Sequence, residues 1–231
     1  MKKALVLGLA AVASIGVARA QYSISTDITF ASDYIFRGIQ LSENTLHPSI
    51  EISSDQFYLG YWGAFPINNT ESKGWVDEYD FYAGFNQQIG ETTAVDVGLT
   101  HYYYTQLDST TEAYVGLTGD VGGMTPGVYV YYDFDLQNLT VQGSVGYSLP
   151  LENAGTSLDL SATVGYVEPD MGDSYAFYGA SAVIPFQVNE NATISVGLHY
   201  SQHDISEFAL ADLGQDDDNF LYGTIGLTLG F

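Results

Sequence analysis

The sequence predicts an all-β protein, a transmembrane antiparallel up-and-down β-barrel of about 12 strands. Three observations carry that expectation. Apolar and polar residues alternate over stretches of about eight to twelve positions, the period of a strand wetted on one face. Helical periodicity is nearly absent, and beyond the opening segment nothing approaches the roughly 20 apolar residues of a membrane-spanning helix. The chain closes on an amphipathic segment ending at Phe231, with Leu229, Leu227, Ile225, Gly223 and Leu221 at the alternate positions before it.

The elements start after a leader. Residues 1–20 predict a cleaved secretory signal: Lys2 and Lys3 make a positive start, Ala4 to Val17 an apolar core, and Ala18-Arg19-Ala20 a small-x-small cleavage site. Residues 21–231 then predict one outer-membrane barrel domain, a length at which single barrels are routine.

Twelve strands are expected in order. The first, 22–32, sets Asp27 on the phase opposite the aromatics Tyr22 and Phe30. The second, 46–54, carries Glu51 inward and stops at Ser54-Asp55, and the third, 57–66, has Phe57 and Phe65 near its ends with Tyr58 and Trp62 on the inner phase. The fourth, 78–89, points Asp80 and Tyr82 inward and stops at Ile89-Gly90. The fifth, 92–106, carries Asp96 inward; its run Tyr102-Tyr103-Tyr104 cannot all face one way. The sixth, 111–119, precedes Gly122-Gly123, and the seventh, 125–134, holds Tyr129 and Tyr131 inward. The eighth, 138–149, alternates from Leu139 to Leu149 and stops at the turn signal Pro150 to Gly155. In the ninth, 157–167, Leu158, Leu160, Ala162, Val164 and Tyr166 share one side, with Asp159, Ser161, Thr163 and Gly165 on the other. The tenth, 174–185, leads to Asn189 to Asn191; the eleventh, 191–202, shows the clearest alternation, Ala192 to Tyr200; the twelfth is 218–231.

An even count returns the C-terminus to the side where the barrel began, as single-chain bacterial outer-membrane barrels require. Long connections are then expected on the opposite side, at 33–45, 67–77, 107–110, 135–137, 168–173 and 203–217. The turn 150–156 is long for the near side. Aromatics near strand ends, including Tyr103, Tyr166 and Tyr200, suit the girdles at the membrane interfaces.

Charge bounds the partners. After the leader only Arg37 and Lys73 oppose 28 acidic residues, a net of −26. That composition excludes nucleic acid, whose phosphates need clustered Lys and Arg, and it attracts cations while repelling anions. Cysteine is absent, so disulfides, thiolate metal sites and a lipid-anchored cysteine are excluded. A carboxylate facing lipid would be prohibitively costly, so Asp27, Glu51, Asp80, Asp96 and Asp159 are expected to line a hydrated lumen or to plug a narrow one in hydrogen-bonded networks. Inward aromatics either stack against a passing solute or fill volume.

One segment has a family likeness. Ser32-Asp33-Tyr34-Ile35-Phe36-Arg37-Gly38 resembles the signature near the start of TorF-type porins, the Gcw_chp family; Phe57 to Trp62 and Glu78 to Gly84 resemble the strands that follow. The family usually continues its motif as Ile-Ser-Gln, where this chain reads Ile39-Gln40-Leu41-Ser42. Between about Leu107 and Glu190 the likeness is barrel patterning alone. The resemblance implies a porin-type barrel of the bacterial outer membrane and leaves its solute open. Independently of it, Arg37 pairs with Asp33 or with lumen carboxylates to form a constriction, or it anchors a loop.

Other chemistry is weaker. His199-Tyr200-Ser201 has the His-x-Ser spacing of membrane-lipid hydrolases, but on the polar face, so no catalytic residue is assigned. Asp216-Asp217-Asp218, with Asp204, Glu207 and Asp212, is a solvated acidic loop or a site for Ca²⁺ or Mg²⁺ bridging lipopolysaccharide; its irregular spacing leaves metal ligands and cofactors unassigned. The expected function is passive diffusion of small neutral or cationic solutes, with a non-conducting structural or surface-contact barrel as the alternative. The expected partners are outer-membrane lipid and lipopolysaccharide, the barrel assembly machinery that recognises Phe231, and in some settings further copies of the chain.

Overall fold

A computed structural model describes residues 22–67, 76–205 and 217–231 of the chain. The proposed leader, Lys73, Glu207, Asp212 and Asp216 lie outside them. Twelve strands close into one antiparallel barrel in chain order: β1 Tyr22–Phe36, β2 Ile39–Ser54, β3 Phe57–Pro66, β4 Glu78–Gln88, β5 Thr93–Tyr104, β6 Thr110–Gly119, β7 Met124–Asp133, β8 Leu139–Leu151, β9 Thr156–Glu168, β10 Tyr175–Asn189, β11 Ala192–His203 and β12 Asn219–Gly230. Closure pairs the strand edges around the barrel, the condition a sheet must meet to span hydrocarbon. β12 pairs with β1 from Ser25↔Gly230 to Ala31↔Thr224, and Phe231 exchanges backbone hydrogen bonds with Ile24 (3.0 and 2.8 Å).

The period-two pattern sorts the two faces. Along β11, Ile194, Val196, Leu198 and Tyr200 are exposed to the outside, while Thr193, Ser195, Gly197, His199 and Ser201 turn inward. β5 does the same with Val97, Leu99 and Tyr103 outside against Asp96, Tyr102 and Tyr104 inside. The exposed apolar residues are the surface that meets lipid.

The connections separate into two ends. Where the chain begins and ends, the turns are short: 55–56, 89–92, 120–123, 152–155 and 190–191. The expected long turn at 150–156 is contracted, because β8 and β9 continue to Leu151 and from Thr156 around a single 3₁₀ turn, Glu152–Ala154. At the far end lie 67–77, 105–109, 134–138, 169–174 and 204–218.

The sixth far-end connection corrects the sequence reading. Residues 33–45 are not a loop; β1 and β2 run on to a two-residue turn at Arg37-Gly38, both with positive φ (48° and 89°). Turns of that hand match strand twist and form tight hairpins. Beyond Ala31 and Thr45, where the pairs with β12 and β3 end, the two strands form a hairpin arm. A register shift between Tyr34 and Ile35 bends it, and it folds into the far mouth of the barrel.

Candidate functional site

The lumen is two unlike walls with the arm across them. Along β2 to β7 the inner positions alternate acids, tyrosines and glycines. Glycine faces an aromatic residue in five cross-strand pairs: Tyr58 and Gly84, Tyr82 and Gly60, Tyr114 and Gly98, Tyr129 and Gly116, and, on the other wall, Phe177 and Gly165. In each, a Cβ on the glycine would collide with the ring opposite. The missing side chain therefore lets the ring lie flat on the wall instead of across the channel.

These tyrosines hold the carboxylates. Tyr58 and Tyr129 both donate to Asp96 (2.8 and 3.1 Å), Tyr82 to Glu51 (3.1 Å), Tyr34 to Glu78 (2.8 Å) and Tyr102 to Glu112 (3.1 Å); the Tyr58 and Tyr114 hydroxyls are also hydrogen-bonded. Glu78, Asp80, Asp96 and Glu112 are fully or almost fully buried. Neutral hydroxyls satisfy a carboxylate's lone pairs without cancelling its charge, which is how such acids are kept away from bulk water.

The second wall, β8 to β12 with the part of β1 that pairs to β12, is lined with short hydroxyl side chains. Thr29 and Thr228 donate to Asp27 (2.7 and 2.8 Å), Ser148 and Ser157 to Asp159 (2.6 and 2.8 Å), and Ser161 bonds Ser181 (2.7 Å). Asp27, Glu51 and Asp159 remain half-buried, unlike the acids beneath the arm.

The arm carries the motif noticed in the sequence. Its tip places Arg37, 9% exposed, against Glu112 of β6, Nη2 to Oε2 at 2.6 Å. The guanidinium lies 5.1 Å from the Tyr131 ring centre and 5.0 Å from Phe36, whose ring meets Tyr102 edge-on. Arg37 therefore pairs with a lumen carboxylate rather than with Asp33, which accepts hydrogen bonds from Ser32 and Gln40. Gly38 rests on the opposite wall: a Cβ there would lie 2.9 Å from the Cβ atoms of both His203 and Phe177. At the root of the arm, Tyr34 packs on His47 and Trp62, which stack on one another with ring centres 4.7 Å apart.

All five acids singled out from the sequence point inward, and Asp80, Asp96 and Glu51 share one wall while Asp27 and Asp159 sit on the other. Glu78, Glu112 and Asp133 were missed. They are buried too, Asp133 accepting from the backbone N–H groups of Asp135 and Leu136. Glu78 opens β4, Asp133 closes β7 and Glu112 is the third residue of β6, each in phase with an inward neighbour, Asp80, Tyr131 and Tyr114, which is the signal that would have found them. Phe231 stands exposed at the seam. His199 and Ser201 both face the lumen; His199 bonds Thr224 (2.8 Å) and stacks on Tyr222, and Ser201 reaches the Tyr178 carbonyl. A lipid-facing His–Ser couple is therefore not what this geometry offers.

Solved structures share the fold. The chain superposes on the KdgM porin in complex with disordered oligogalacturonate (TM-score 0.56, 8% identity, 90% of this chain and 99% of that one). It likewise superposes on the NanC porin (0.58, 9%, 89% and 98%) and on an outer-membrane channel from Pseudomonas putida F1 (0.51, 8%, 94% and 97%). No curated protein matches the sequence. A family model described as a bacterial protein of unknown function, Gcw_chp, matches residues 16–213, so the chain belongs to the Gcw_chp family.

Proposed function

We propose that the protein is a bacterial outer-membrane channel for passive diffusion of small neutral or cationic solutes, with the arm end facing out of the cell. One observation carries the reading: inward carboxylates are held by neutral hydroxyls, Asp96 by Tyr58 and Tyr129, Glu51 by Tyr82, Asp27 by Thr29 and Thr228, and Asp159 by Ser148 and Ser157, and those partners leave the charge uncancelled. The excess negative charge has to be balanced by mobile cations, so a wet path past it favours cations over anions. The porin barrels with this fold support the location, as does the TorF-type likeness of Ser32 to Gly38. Phe231 serves as the assembly signal, lipid and lipopolysaccharide surround the outer face, and the leader is removed on export.

The half-buried acids test the reading. In planar bilayers under a KCl gradient, Asp27→Asn, Glu51→Gln and Asp159→Asn together should lower cation preference without abolishing current. An unchanged reversal potential in the triple variant would remove these residues from the selectivity element. The arm across the mouth favours a second reading, a non-conducting barrel in envelope integrity or surface contact. A folded barrel that never conducts would decide for it.

A further inference from the structure

We infer that the β1–β2 arm, residues 33–43, is a movable gate of this channel, and that Glu112 and Tyr131 are the positioning residues that hold it across the mouth through Arg37. The inference rests on the channel reading and adds to it which part sets the size of the opening.

Four observations converge. Strand pairing ties the arm to the barrel only at its root: the β12 ladder leaves β1 at Ala31, and the β3 ladder leaves β2 at Thr45. The register shift between Tyr34 and Ile35 lies just beyond that root, where a bend re-aims the tip. The tip then touches both walls, Arg37 on β6 and β7 and Gly38 on β10 and β11, so it divides the mouth rather than lining it. Finally, what holds it is specific and electrostatic. The guanidinium is an always-charged planar donor set between a carboxylate and an aromatic face, whereas the Gly38 side offers backbone against His203 and Phe177 with no side chain of its own. Removing the Glu112 charge takes away the ion pair that holds the tip and leaves the root, with its ladder and the Tyr34–Glu78 hydrogen bond, intact.

This assigns a job to the motif Ser32 to Gly38. Asp33 accepts a hydrogen bond from Gln40 across the arm and stiffens it, Tyr34 seats its root on His47 and Trp62, and Arg37-Gly38 makes the turn and the latch. Gly38 admits no larger residue, because both the positive φ and the closeness of the wall exclude a Cβ.

The chain has no cysteine, so Ser42→Cys, at a fully buried arm position, is a sole thiol whose reaction with a water-soluble maleimide reports where the arm lies. With Glu112 intact the thiol should be protected; in the Glu112→Gln background it should react, and the unit conductance should rise severalfold. Arg37→Lys, which keeps the charge but loses the planar fork, serves as a second variant should Glu112→Gln fail to fold, as judged by heat-dependent migration in detergent gels. Equal conductance in wild type and folded variant overturns the gate and leaves the channel standing. No current from either overturns the channel reading and the gate together, and a thiol that stays protected in the variant overturns Glu112 as the latch.

Discussion

At the residue scale, the chemistry turns on how few cations meet many buried acids. The Arg37–Glu112 pair is enclosed, so taking away one partner strands the other. Glu112→Leu or Arg37→Met is expected to cost about 3–5 kcal/mol of unfolding free energy, whereas the double change Arg37→Met with Glu112→Leu should cost much less. Denaturant unfolding in micelles would measure both, and an additive double variant would show that the two side chains do not act as a pair. The tyrosine–glycine pairs make a second prediction. Gly84→Ala sets a methyl group into the Tyr58 ring, which must swing off the wall and away from Asp96. Such overpacking costs about 1–3 kcal/mol, and the displaced ring should narrow the path and lower conductance; Gly90→Ala, in a turn with open space around it, should change neither.

At the element scale, period-two alternation made the strands legible and the arm illegible. β3 was read from the sequence with its observed limits, 57–66, because one face meets lipid and the other the lumen. The arm has no lipid face. Lying inside the barrel, it buries Tyr34, Gln40 and Ser42 without any apolar stripe, so its polar residues read as a long loop. The turn itself was the available clue: a residue followed by Gly, between Tyr34-Ile35-Phe36 and Ile39-Gln40-Leu41, is a two-residue hairpin pattern, disguised because Arg37 stands where Asn or Asp is usual. The face assignment has a direct check on β11. Leu198→Arg should cost about 2–4 kcal/mol if that position meets the middle of the bilayer, while Thr193→Ser, on the lumen side of the same strand, should be nearly silent. Refolding into vesicles followed by denaturant titration distinguishes them; a silent Leu198→Arg would place that face elsewhere.

At the scale of the whole molecule, closure explains the sequence's composition. A cysteine-free chain is held by a continuous ladder that returns to its start, with the last residue bonded to Ile24. Deleting Phe231 should therefore lower the yield of assembled barrel in cells more than its stability once refolded in detergent, if its main role is recognition during assembly. Equal losses in both would assign it to closure instead. The overall charge was legible in the sequence, and so was the inward placement of Asp27, Glu51, Asp80, Asp96 and Asp159. What composition could not convey is the partition of those acids into buried ones, Asp80 and Asp96, and half-buried ones, Asp27, Glu51 and Asp159, because that depends on which side chains lie across neighbouring strands and beneath the arm.

The central claim is that this charge governs what passes. The most direct measurement is the reversal potential of the refolded wild-type barrel in a planar bilayer under a KCl gradient, at low and at high salt. A cation-selective potential that weakens as ionic strength rises is the predicted result, since screening shortens the reach of the lumen's carboxylates. An anion-selective potential, or one of zero at low salt, would contradict the account.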